Sequence, residues 1–125
     1  DPQVVLDEIF GQVDAMCSGE GNGPAYDIFA IAEQYFAPNL AKVLNDASEN
    51  GTLGFDVLVD GQDCRVSALD LRVTDDNGRT ATGHAEFQNF GEQRSIDLVM
   101  AKRAESWEVT DIVYRHRPFS LRAGE

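Results

Sequence analysis

The densest run of chemistry-bearing side chains is Phe55-Asp56-Val57-Leu58-Val59-Asp60-Gly61-Gln62-Asp63, which sets Asp56, Asp60 and Asp63 around the amide of Gln62. Carboxylates converging at the mouth of a pocket would suit a cation or a positively charged ligand. A resident metal fits poorly, because the run lacks the one-residue alternation and terminal Glu of a calcium loop. Asp and Gly also gather in turns for conformational reasons: Asp bonds its own backbone and Gly accepts positive φ. Turn or helix-capping structure therefore outweighs ligand contact here, and a metal ranks last.

Other candidates are single residues. His84 has the right intrinsic pKa for a general base, but it alternates in phase with Thr82, Glu86 and Gln88. That parity predicts a solvated histidine on the polar face of a strand. His116 lies between two arginines and reads as surface. Cys64 has no nearby histidine in sequence, and adjacent Asp63 opposes thiolate formation. Cys17 and Cys64 are compatible with one disulfide in an oxidising compartment, or each with a small buried hydrophobe. There is no Cys-x-x-Cys, His-Glu-x-x-His, phosphate-binding glycine loop or Gly-x-Ser-x-Gly. No cofactor and no catalytic residue is assigned.

The elements that must position these groups follow from periodicity. Asp1-Pro2 offers a capping carboxylate and a proline at the first helical position. Val5, Leu6, Ile9, Phe10, Val13, Met16 and Cys17 then recur at three- and four-residue spacing, which predicts an amphipathic helix. Ser18 to Pro24, rich in glycine, ends it. A second helix is expected from about Tyr26 or Asp27 to Phe36, and a third from Pro38, with Leu40, Val43, Leu44 and Ala47 inward and Asn50-Gly51 as the stop.

From Gly54 onward the pattern alternates. Leu69, Leu71 and Val73 predict one strand, and Asp75-Asp76-Asn77-Gly78 a hairpin with Asn-Gly in a primed turn. The next strand, about Arg79 to Phe90, puts Ala81, Gly83, Ala85 and Phe87 on one face, small enough for helices or a ligand to approach closely. Gly91-Glu92 turns the chain, Ile96, Leu98 and Met100 build a third strand, and Ala104-Glu105-Ser106 turns again. Trp107 and Val109 share one parity and Ile112 and Tyr114 the other, so a bulge is expected around Thr110-Asp111. The fold class is thus α+β: N-terminal helices packed in the hollow of a strongly curved antiparallel sheet, as one domain over residues 1–125.

With 125 residues the chain can bury a core without metal or disulfide staples. It carries a net charge of −12. Nearly all of that lies in residues 1–64, where Lys42 is the one cation. Such a field repels phosphate backbones and anionic membrane surfaces, so no nucleic acid is expected. No apolar run reaches the roughly 18 residues of a membrane-spanning helix, so no membrane insertion is expected. The basic tail of Arg115, His116, Arg117 and Arg122 reads as an intramolecular partner for the acidic helices. The start at Asp1, without an initiator Met, reads as processed or trimmed.

Helices followed by a meander ending in Trp107-Glu108-Val109-Thr110-Asp111-Ile112 resemble the nuclear-transport-factor-2-like superfamily, also called cystatin-like α+β cones. Tyr35-Phe36-Ala37-Pro38-Asn39-Leu40, the Phe55–Asp63 run and Trp107–Ile112 together resemble a family of bacterial exported proteins sharing a Phe-Asp-x-Leu-x-x-x-Gln-Asp stretch. Val57 stands here where that family typically has proline. The resemblance implies fold and export to the periplasm or beyond, and no particular activity, since a superfold hosts many functions. Isomerases of the superfamily use an Asp base with acidic donors in an apolar cavity. Tyr26, Tyr35, Asp56 and Asp111 are the residues here that such chemistry would draw on, and none sits in a catalytic motif.

Binding is favoured over catalysis. A small molecule in the hollow would be met by Tyr35, Asp56, Asp60, Gln62, Trp107 and Asp111, the acids orienting it and the aromatics supplying apolar area. The alternatives are an acidic interaction or immunity-type module for a basic protein partner and a cone-type isomerase or lyase. A homodimer stays open, because no decisive patch marks one.

Overall fold

A computed structural model describes residues 1–17, 28–50, 58, 65–115 and 119–120. Helix α1 runs Pro2–Cys17, α2 Ile28–Tyr35 and α3 Pro38–Glu49. Strands β1 (Val66–Thr74), β2 (Thr80–Asn89), β3 (Glu92–Arg103), β4 (Ser106–Tyr114) and the two-residue β5 (Phe119–Ser120) form one antiparallel sheet in chain order. The Ser18–Pro24 stop, the Gly51 cap and all of the Phe55–Asp63 run except Leu58 lie outside the described residues, as do Tyr26 and Cys64.

The α1 start forms as its residue types dictate: the Asp1 carboxylate accepts the Gln3 amide at 2.9 Å. Its apolar stripe is buried, with Leu6, Ile9, Phe10, Val13 and Cys17 wholly inaccessible. Each such side chain contributes roughly 1.5–3 kcal/mol of transfer free energy. The stripe packs against the inward side of β2, where the Phe10 and Phe87 rings lie 6.1 Å apart. Gly83 decides who approaches the sheet. A Cβ built there would stand 2.9 Å from Met100 Cε and 3.0 Å from Leu6 Cδ1, so the helix and not a ligand fills that space. Leu58 is likewise fully buried in this core.

The sheet bends where its ladders slip. One irregularity lies in β1 between Ser67 and Asp70, with Ala68 at φ 55°. The other is the expected bulge in β4. Met100 pairs with Val109 and Val99 with Asp111, which leaves Thr110 as the extra residue. The Thr110 hydroxyl donates to the Val99 carbonyl at 3.2 Å. Trp107 and Val109 before the bulge, and Ile112 and Tyr114 after it, are all buried against the helices.

Two turns differ from expectation. In β1–β2 the left-handed residues are Asp75 (φ 56°) and Gly78 (φ 89°), not an Asn77-Gly78 pair. The Asn77 carboxamide instead accepts the amides of Arg79 and Thr80, both at 2.9 Å, and so caps a longer loop. In β2–β3, Asn89 pairs with Glu92, so the two turn residues are Phe90 and Gly91 rather than Gly91-Glu92. Their φ angles, 53° and 81°, are those a type I′ turn demands. No helix among the described residues is long and apolar enough to cross a membrane.

Candidate functional site

On the helix side, the end of α2 is tied to β4 beside its bulge. Phe36 bridges Val109, and the Ala37 amide donates to the Val109 carbonyl at 2.8 Å. Pro38 follows as the first residue of α3, so the chain must turn here. That tether carries Tyr35 to Trp107, two residues before Val109 on the same face of β4. Both rings are 8% exposed and line a shallow cleft of about 300 Å³ between the start of α1, the end of α2 and the β3–β4 turn. Val4, half exposed, and Val5 extend its apolar wall, while Gln34 and Ser106 add polar groups. The Tyr35 hydroxyl donates to Glu8 at 3.3 Å. Burial and the Glu8 charge push its pKa above the usual tyrosine value, so it stays a donor.

The opposite face of the sheet holds a charged basin of about 440 Å³ centred on His84. The ring is only 8% exposed, which corrects the expected solvated histidine. Parity did place it on the polar face. What buries it is the neighbouring strand: Asp97 lies directly opposite in register, and Glu86 flanks it along β2. Nδ1 meets Asp97 Oδ1 at 2.6 Å and Nε2 meets Glu86 Oε1 at 3.0 Å. Each ring nitrogen thus faces a carboxylate oxygen, an arrangement that favours the protonated ring. Burial opposes that charge, but the bonds to Glu86 and Asp97 prevail and raise the pKa above its ordinary value. His84 in turn holds Glu86 below the usual carboxylate range.

Arg115 completes the network, donating to Asp97 Oδ2 at 3.0 Å, while Arg72 approaches Glu86 at 3.9 Å. The basic tail was expected to meet the acidic helices. Its one described member, Arg115, meets the sheet instead, because the end of β4 lies beside Asp97 through the Asp97–Val113 register pair. His116, Arg117 and Arg122 are outside the described residues.

Of the residues expected to form one pocket, the structure brings together Tyr35 and Trp107. Asp111 pairs with Val99 and shares the outer face with Asp97, across the sheet from both aromatics. Its carboxylate accepts the Ile112 amide at 2.8 Å, a local role within the bulge. Asp56, Asp60 and Gln62 are outside the described residues. Sequence reasoning missed Glu8, Val4, Gln34 and Ser106, whose convergence depends on the α2–β4 tether. It also missed the His84–Asp97 pair, for which a signal existed. Moving the turn one residue, onto Phe90-Gly91, shifts the partner of His84 from Val99 to Asp97.

Among the described residues, no group of three or more His, Cys, Asp or Glu side chains is arranged to hold a metal ion. Cys17 is fully buried and disulfide-bonded. Comparison with protein-family models, with curated proteins and with solved structures finds no match.

Proposed function

We propose that this chain is a non-catalytic binding domain whose small-molecule site is the Tyr35–Trp107 cleft. The carrying observation is that two aromatic side chains from distant elements, Tyr35 and Trp107, line one open cleft with polar groups at its edge. Few convergent polar groups on an apolar floor are the usual make-up of a ligand site. The outer basin competes less well, since its central groups already satisfy one another: His84 with Asp97 and Glu86, and Asp97 with Arg115. The same pairing argues against catalysis there, because both ring nitrogens are already engaged by carboxylates and neither is left for a substrate.

The helix-then-meander order and the bulge are in keeping with the cone-type resemblance; the exported, periplasmic or secreted setting rests on the likeness of Tyr35–Leu40, Phe55–Asp63 and Trp107–Ile112 to exported bacterial proteins. A second reading keeps one specific support. Asp7, Asp14, Glu33 and Asp46 are all exposed on the helix layer, which suits a basic protein partner. Salt-sensitive capture of such a partner, lost when Asp7 and Asp14 are neutralised, would favour it.

The test of the cleft is titration with a panel of small amphipathic molecules, following Trp107 emission and backbone amide shifts together. Trp107 is the one tryptophan of the chain, so its emission reports on this cleft alone. Binders should perturb Val4, Tyr35, Ser106 and Trp107 and weaken in Tyr35→Ala. Binders that perturb Thr82 and Ser95 while leaving Trp107 silent would overturn the assignment.

A further inference from the structure

We infer that the Tyr35–Trp107 cleft selects small organic cations: an amine or quaternary ammonium group attached to an apolar or aromatic body. This deepens the binding reading above and rests on it. The described lining contains two acidic residues, Asp1 and Glu105, and no Lys or Arg. Glu8 adds a third carboxylate beside it through the Tyr35 hydroxyl. The apolar part of a ligand is matched by Val4, Val5 and the two rings, which line the same cleft as the acids.

Charge complementarity decides between ligand classes. An anionic head group would face the Asp1, Glu105 and Glu8 carboxylates, with no Lys or Arg side chain in the described lining and only the α-ammonium of Asp1 to offset them. A neutral one would gain apolar burial but leave that field unused. A cation gains both, and the field of the whole acidic half adds to it, since Lys42 is the one basic residue before Arg65 and is already paired with Asp46 at 2.7 Å. The outer basin offers the contrast: Arg72, Arg115 and His84 offset Asp75, Glu86 and Asp97 there, so it has no comparable preference.

Three probes of one shape test this on the whole chain: protonated benzylamine, benzyl alcohol and benzoate, each titrated against Trp107 emission at low and high salt. Benzylammonium should bind roughly fivefold tighter than benzyl alcohol at low salt, with the gap narrowing as salt screens exposed charges. Benzoate should bind weakest. Glu105→Gln and Glu8→Gln, which preserve side-chain shape, should each shrink the gap without abolishing benzyl alcohol binding. Equal affinity for benzylammonium and benzyl alcohol overturns the cation preference while leaving the cleft as a site. Silence of Trp107 with all three probes overturns the cleft itself. A gap that persists unchanged in both Gln variants also overturns the inference, because the carboxylates would not be its source.

Discussion

Asp97 on β3 holds Nδ1 of His84 on β2 at 2.6 Å, across a directly opposed register pair, and the same carboxylate reaches Arg115 at the end of β4. One partly buried side chain thereby links three strands on the polar face of the sheet. A charge-assisted bond in a partly desolvated setting is worth more than an exposed pair, and leaving one partner unmet is costly.

The pH dependence of that link has a definite sign. Folded His84 holds its proton more tightly than the unfolded chain, whose value is near 6.5. Its contribution is therefore complete below that pH and is lost as pH rises through the higher folded value. Glu86 acts in the other direction. Its folded carboxyl is more acidic than 4.5, so its share is complete above that pH and is lost as pH falls through the folded value. His84→Gln should cost about 1–3 kcal/mol at pH 6. Urea unfolding at pH 6 and pH 9 checks this, and a cost that fails to shrink at the higher pH would refute a stabilising role for the His84 proton.

Phe90 sits at φ 53° with half its surface exposed, in a turn whose geometry favours Asn or Gly at that place. Phe90→Asn should stabilise the domain by about 0.5–1 kcal/mol by removing left-handed strain from a bulky residue. Thermal melts of the two proteins decide it. A lower melting temperature in the variant would mean that the Phe90 ring makes contacts worth more than the strain.

Gly83 faces the core where a methyl group would meet Leu6 and Met100 at about 3 Å. Both neighbours can bend, but both are fully buried and have little room to do so. Gly83→Ala should destabilise by about 1 kcal/mol and Gly83→Val by about 3 kcal/mol. In a Met100→Ala background the alanine cost should shrink, since the cavity removes the Met100 contact and gives Leu6 room to yield. Additive costs would show that the penalty comes from Leu6 or the strand backbone and not from Met100.

Cys17 is disulfide-bonded, and Cys64 is the only other cysteine of the chain. Intact mass under denaturing conditions should rise by about 2 Da on reduction, with no change in oligomer size. Closing so long a loop predicts a stability loss of roughly 4 kcal/mol on reduction, by the loop-entropy model. A covalent dimer on a non-reducing gel would instead place Cys17 in a bond between two copies.

Much of the architecture was legible in residue order. Apolar spacing placed α1 and α3 nearly to the residue, because a helix that buries one face must repeat every three or four positions. The change of parity between Val109 and Ile112 located the β4 bulge, since an inward-facing set can be kept across an added residue only by such a slip. The candidate site was half legible. Tyr35 and Trp107 were recognisable as aromatics near breaks, but Asp111 was assigned to their side although the bulge turns it to the other.

What the residues determined alone is the α+β class, the buried stripes, the meander and the acidic field, all of which depend on local spacing or on summed charge. Tertiary structure decided the rest. It decided that His84 is buried and paired with Asp97, because its burial comes from the neighbouring strand and a one-residue change of turn gives it a different partner. It decided that Glu8, Tyr35 and Trp107 meet, because that convergence requires α1, α2 and β4 to be packed at once.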